Sequence, residues 1–418
     1  MNPKIKAHAF HRGRLLCNLP LFNWLYRRCV GAVAIAGVLA ALQFFAVPAL
    51  AQSPDPPKIE LAPGLAEAHQ SFAANIAGDN PNGWGIYPVA QALLIRYRTT
   101  HNPAYLKTGL DQINQLRKLA AGVTGAKDAF TGEAQSVWLS SRYRCGVSVA
   151  FDVHNAAIAA PYLQLIYHML VNEAAHLLPA ERADIMQALA FFEANAHYFE
   201  RRLVPADDGL ALKAPDAPLV SSCSELAGFR TSPLLPLNMI TAYGEQIAAL
   251  FHVHRDAPMP ESGAKAGRYR KLALDIAIYT KNQMHPGEAG SLTWRYMPGG
   301  RIEDVSHAIF PIRFLTFMKQ IEPDSVSDEM IGQLVATFHF VYGNGAKDVK
   351  SHLSSTYGSR SQLRFIVNLG EWAMLAPYDK RIIPLLQGLY RGLYDDKGRI
   401  VVPSPLLRAM IEQARQAR

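Results

Sequence analysis

Strand signals are nearly missing from this sequence. Alternating β-branched runs bounded by turns hardly occur along its 418 residues, which excludes sandwiches, barrels and large sheets. Cysteine is scarce, with four residues: Cys17, Cys29, Cys145 and Cys223. No Cys-x-x-Cys, His-Glu-x-x-His or calcium-loop spacing occurs, so neither a structural metal nor a cofactor is expected. No Gly/Ser or Pro-rich linker follows Pro63, and no close sequence repeat is visible. One large domain over 61–418 is therefore expected, preceded by a flexible Pro-containing leader at 52–60.

Acidic residues are absent from residues 1–51, which carry Lys4, Lys6, Arg12, Arg14, Arg27 and Arg28. An apolar run from Cys29 to Pro48 follows, and then Ala49-Leu50-Ala51 before Gln52. A basic start, an apolar stretch and a small-x-small site describe an export signal ending at Ala51. The apolar run approaches the roughly 20 residues that span a bilayer, so an uncleaved anchor facing the periplasm is the alternative. Membrane contact is expected only through this segment. Removing it takes six charges from the net +8 and leaves +2. No basic tract interleaved with aromatics remains, so nucleic acid is not an expected partner. Cys145 and Cys223 are the cysteines left for the exported part, enough for one disulfide in an oxidising compartment.

What is abundant is helical periodicity. Segments fall at 61–78, 86–100, 103–122, 155–176, 180–202, 236–254, 264–284, 303–320, 327–343, 360–376, 381–394 and 404–417. The 103–122 segment puts Leu106, Leu110, Ile113 and Leu116 on one face and Lys107, Asp111, Gln115 and Lys118 elsewhere, the mark of a half-exposed helix. The 155–176, 303–320 and 360–376 segments are apolar nearly all round, and such helices must be covered on every side. Inner and outer helices thus alternate. Loops leading into inner helices are mostly long, at 123–154, 203–235, 285–302 and 344–359, whereas the opposite turns are mostly short. A ring of helical hairpins fits this pattern. Its inner helices run parallel, and the long loops gather on the rim where their N-termini open, as binding loops on a rigid scaffold do. Cys145 and Cys223 would lie in neighbouring rim loops.

Each inner helix is led by polar and aromatic residues: Trp84 near the first, Asp152 and His154 at the second, Asn238 and Tyr243 at the third. The fourth is led by the richest stretch, Trp294-Arg295-Tyr296…Gly299-Gly300-Arg301-Ile302-Glu303-Asp304-Val305-Ser306-His307. Asp304 and His307 are three apart, and Glu303 and His307 four apart, so on a helix both carboxylates share a face with the imidazole. A carboxylate beside an imidazole fixes its tautomer and raises its basicity, giving an acid/base unit. The plainer alternative is that Glu303 or Asp304 caps the helix. Trp84, Trp294 and Tyr296 suit stacking on sugar rings in a wet cleft. Asn238 and Arg301 suit a substrate carboxylate. His168 and His176, inside a helix, read as structural. Glu371 beside Trp372 reaches a cleft only if it faces inward.

This alternation, with Trp84-Gly85, Asn238-Met239 and the 294–307 stretch, resembles the six-hairpin (α/α)6 toroid superfamily of carbohydrate-active proteins. That superfamily includes glycoside hydrolases, polysaccharide lyases and the C-terminal domain of glucuronyl C5-epimerases. The likeness spans roughly 60–418 and completes no single family's catalytic signature. It implies an all-α (α/α)6 toroid with little β content, confined to loops, and a polysaccharide or oligosaccharide partner. Proton abstraction from a uronate would use His307 and Tyr296, with Asp304 beside them and Arg301 and Asn238 stabilising the enolate-like state. Hydrolysis would instead need Asp304 with a second carboxylate such as Asp152 or Glu245. A non-catalytic glycan-binding or envelope-assembly role on the same scaffold is the third reading.

Overall fold

The helix Asp152–Val171 organises the core because its residues are mostly apolar and nearly all of them are buried. Val153, Ile158, Tyr162, Leu163, Leu165, Ile166 and Leu170 are each at most 1% exposed, so every face meets another element. Burying a side chain of this size contributes about 1.5–3 kcal/mol. The computed structural model describes residues 62, 64–77, 81–141, 147–214, 233–343, 349–354, 368–394 and 397–416. Residues Leu61–Arg418 cluster as one compact unit, apart from Met1–Glu60. The leader and both cysteines of the expected disulfide, Cys145 and Cys223, lie outside the described residues.

The described residues are mostly helical. In chain order they form α1 (Leu65–Ile76), α2 (Gly83–Thr100), α3 (Ala104–Lys118), α4 (Ala121–Thr124), α5 (Asp152–Val171) and α6 (Pro179–Glu200). There follow α7 (Leu237–Asp256), α8 (Ser262–Asn282), α9 (Ile309–Ile321), α10 (Asp328–Tyr342), a 3-10 helix (Asn368–Leu375), α11 (Ile382–Arg391) and α12 (Pro405–Gln416). Two short antiparallel hairpins sit between helices: β1 (Leu203–Ala206) with β2 (Gly209–Leu212), and β3 (His285–Pro286) with β4 (Leu292–Thr293). No described helix is long and apolar enough to cross a membrane.

Of the expected inner segments, α2, α5, α7 and α9 are buried along most of their length; α12 is half-exposed, and 360–376 is described only from residue 368, where it is a 3-10 helix. Helix α2 packs on α5, α5 on α7, α7 on α9, α9 on the 3-10 helix, and that helix on α12, which packs back on α2. Around them α1 and α3 lie on α2, α6 on α5, α8 on α7, and α10 and α11 on the 3-10 helix. Side-chain contacts at both ends show that the inner helices share a direction. At their N-terminal ends, Trp84 of α2 meets His154 of α5 and Phe310 of α9. At their C-terminal ends, Arg98 of α2 donates to His168 of α5. Tyr167 of α5 stacks at 3.8 Å on His252 of α7, which meets Phe317 of α9. Antiparallel neighbours would bring opposite ends together.

Candidate functional site

The site is built by a loop that doubles back on itself. After β4 the chain turns through Met297–Gly300, where Gly299 takes φ 71°, a conformation other residues rarely adopt. The turn brings Tyr296 and Arg301 together, the Tyr296 amide donating to the Arg301 carbonyl at 2.9 Å, while the Glu303 amide donates to the Trp294 carbonyl at 3.0 Å. Asp304 then bridges to His352, and the Val305 amide donates to the Ser351 carbonyl. Helix α9 therefore starts at Ile309, not at residue 303 as the periodicity suggested. Residues 305–308 are a turn, held by the Asp304 side chain together with one helix-type bond from the Ala308 amide to the Asp304 carbonyl at 3.0 Å.

Asp304 is 1% exposed and its carboxylate accepts four hydrogen bonds. Oδ1 takes the Ser306 amide (3.0 Å), the Ser306 hydroxyl (2.6 Å) and the His307 amide (3.1 Å); Oδ2 takes His307 Nδ1 at 2.7 Å. Burial alone would raise its pKa, but the His307 and Ser306 hydrogen bonds outweigh it and hold the carboxyl at about 2. Next to it Glu303 is fully buried, and desolvation, with Asp304 beside it, pushes its pKa well above the ordinary value. Two adjacent carboxyls are thus shifted in opposite directions, Asp304 down by its hydrogen bonds and Glu303 up by burial, the pattern that separates charge-bearing from proton-holding groups in active sites. An ionised Asp304 on Nδ1 makes that nitrogen the protonated one and leaves Nε2 with its lone pair.

His307 is the part of this group that meets solvent, with its side chain 24% exposed. It stands between two half-buried aromatics, its ring centroid 5.3 Å from Tyr296 and 5.6 Å from Trp84. Arg301, 60% exposed, lies 5.8 Å over the Tyr296 ring with Nη2 4.0 Å from Asp304 Oδ2. Trp84 extends the group to His154, at 6.0 Å. That approach depends on Gly83, where a Cβ would come within 2.9 Å of the His154 backbone.

His307, Tyr296, Trp84 and Arg301 therefore come together at the surface, with Asp304 buried beneath His307 and His154 buried against Trp84. Other expected site residues do not join this surface. Trp294 is fully buried, packed in the core behind the loop, and offers no face to a sugar. Tyr243 is likewise fully buried, its hydroxyl donating to the Ala196 carbonyl at 3.1 Å; it fastens α7 to α6. Asn238 is 1% exposed beneath the same loop, whose Tyr296 carbonyl accepts the Leu237 amide. Asp152 is 2% exposed with Oδ1 3.8 Å from Arg202, and burial raises its pKa despite that cation. Apolar periodicity explains Trp294 and Tyr243 better than stacking does. His352, which bridges to Asp304 and is buried at 5% exposure, escapes sequence reasoning, because a lone histidine in a long loop carries no spacing signal.

Glu303, Asp304 and His307 bring one ligand atom each within 4.8 Å of one another, a grouping no metal spacing announces. A cation there would have to displace the Nδ1–Oδ2 hydrogen bond, and the other Asp304 oxygen already serves three donors. The arrangement is better matched to orienting the imidazole. Compared with protein-family models and with curated proteins, the chain finds no match.

Proposed function

We propose that the chain is an exported (α/α)6 toroid protein that acts on a uronate-bearing polysaccharide by proton abstraction, as a lyase or C5-epimerase. The succession of inner-helix contacts that returns to its start supports the toroid, and the basic, apolar leader supports export. One observation carries the chemistry: His307 Nδ1 is tied at 2.7 Å to a buried, ionised Asp304. That tie leaves Nε2 as a base flanked by Tyr296, Trp84 and Arg301.

In this reading the substrate ring rests against Trp84 and Tyr296, and Arg301 neutralises its carboxylate. Nε2 takes the proton from the carbon α to that carboxylate, whose oxygens receive the electron pair. In a lyase the C–O bond to the neighbouring sugar then breaks, and the Tyr296 hydroxyl gives its proton to the leaving oxygen. In an epimerase the same carbon regains a proton from the opposite face. Asp304 is a positioning residue, since its oxygens are fully engaged and closed to solvent. The same engagement counts against a hydrolase using Asp304 as acid or nucleophile, because a glycosidase carboxyl must reach the glycosidic bond.

The test is to incubate the purified protein with uronic and neutral polysaccharides. Ultraviolet absorbance of unsaturated uronate reports a lyase, and uptake of deuterium from heavy water at the uronate carbon reports an epimerase. His307→Ala should lower either signal by about 10²–10⁴-fold. Unchanged turnover in that variant, or reducing ends without unsaturation or exchange, would overturn the reading.

A further inference from the structure

Beyond Phe310 and Tyr87, towards the C-terminal ends of the inner helices, lies a second polar site that the rim chemistry does not use. A cavity of about 170 Å³ is lined by residues from α2, α5, α7, α9 and α12, with Met374 of the 3-10 helix among them. Its inner wall carries a buried ion pair, Arg313 (3% exposed) and Glu245 (2% exposed), joined by one contact of 2.8 Å from Nη2 to Oε1. The pair is only half satisfied. Arg313 Nε and Nη1 and Glu245 Oε2 have no hydrogen-bond partner. Tyr87, its ring centroid 4.5 Å from the guanidinium carbon, covers one face of Arg313 but accepts none of those protons.

Leaving such donors unmet is costly, about 1–3 kcal/mol for a buried polar group and more for a charged one. Arg313 and Glu245 line the cavity, although these three atoms are closed to a water-sized molecule, and the rest of the wall is suited to polar recognition. Gln164, 4% exposed, lies deep within it, and Arg98, Gln320 and Gln413 stand exposed at its mouth. Arg98 is fixed there by donating to His168 Nε2 at 3.0 Å and to Gln164 Oε1 at 3.4 Å. His168 stays neutral, because burial and then Arg98 lower its pKa to about 4, so it can accept that bond.

We propose that this cavity binds a small hydroxylated carboxylate, the size of one sugar acid. Arg98 and Arg313 outnumber Glu245, the one carboxylate on the lining, so the wall suits a monoanion better than a dianion such as phosphate. Each glutamine amide offers both donor and acceptor, the complement of a hydroxyl. An apolar cavity of about 150 Å³ holds a six-carbon ring, so the volume suits one pyranose and excludes a chain. The site stands apart from the rim, and its occupancy does not depend on the reaction proposed there.

Titration calorimetry of the full-length protein with D-glucuronate, D-glucose and inorganic phosphate tests this. Glucuronate should bind at millimolar concentration or below and raise the melting temperature, while glucose and phosphate should bind at least about tenfold more weakly. Arg98→Gln, at the exposed mouth, should weaken glucuronate by about tenfold without loss of fold. Arg313→Met should abolish binding, with circular dichroism confirming that it is folded. His307→Ala should bind glucuronate as the parent does. No glucuronate binding in the parent, equal binding of glucose or phosphate, or loss of binding in His307→Ala with none in Arg98→Gln would each overturn the proposal.

Discussion

The molecule holds two buried charged groups along the same set of inner helices, and they are finished differently. At the rim, Asp304 accepts four hydrogen bonds, and the strain of burying a carboxylate is fully offset. Near the other end, Arg313 and Glu245 share one bond and leave three polar atoms unmet. A satisfied charge fixes the orientation of its neighbour, here His307. An unsatisfied one keeps interaction free energy in reserve for something that arrives later. The contrast separates a group that positions from a group that binds.

The largest effect should come from breaking the incomplete pair. Glu245→Ala leaves Arg313 as an uncompensated buried charge and should cost about 3–5 kcal/mol in urea unfolding. Replacing both partners, Glu245→Leu with Arg313→Met, should recover most of that loss; failure to recover it would mean the pair is more stabilising than its geometry allows. At the rim, His307→Ala removes one of the four hydrogen bonds on the buried Asp304 carboxylate and should cost about 1–2 kcal/mol, while under the proposed reading it lowers turnover by about 10²–10⁴-fold.

Glu371, near Arg313 and 4% exposed, has its pKa raised by burial from 4.5 to about 7 against a hydrogen bond from Ser404 and the charge of Arg313. The folded state therefore holds a proton that the unfolded chain releases. Stability from this group is present below about pH 4.5 and falls as pH rises towards 7, by roughly 3 kcal/mol. Glu371→Gln should flatten that limb. Asp304 gives the opposite and smaller limb. Its folded pKa is about 2 against an ordinary 3.8, so its contribution of roughly 2 kcal/mol is present above pH 4 and lost as pH falls through 2. Asp304→Asn should remove that acid limb and, by releasing His307, lower turnover too.

Much of the helical layout was legible because burial leaves a periodic trace. The all-round apolar character of 155–176 and 303–320 marks α5 and α9 as inner helices, and both are buried on every side. Of the aromatic and ionisable residues that meet at the N-terminal ends, Tyr296 and Arg301 come from the long loop at 285–302, whereas Trp84 and His154 stand in the first turns of α2 and α5. The pairing of Asp304 with His307 was legible too, though for a reason other than helical spacing. A side chain two and three residues ahead of free amides caps them in a turn as readily as it shares a helical face. Trp294 and Tyr243 misled because an aromatic near a loop looks alike whether it faces a cleft or the core. The Arg313–Glu245 pair was illegible, since it joins residues 68 apart in sequence on helices whose apolar pattern hides single charges.

The sequence by itself determined most of the helical segments, which of them must be covered, and which loop carries Asp304 and His307. These follow from local periodicity and short-range hydrogen bonding. Only the tertiary structure decided which aromatics face outwards, that Asp304 is sealed with Glu303 raised in pKa beside it, and that Arg313, its donors partly unmet, lines a cavity. Burial and desolvation depend on neighbours far along the chain, and no local pattern encodes them.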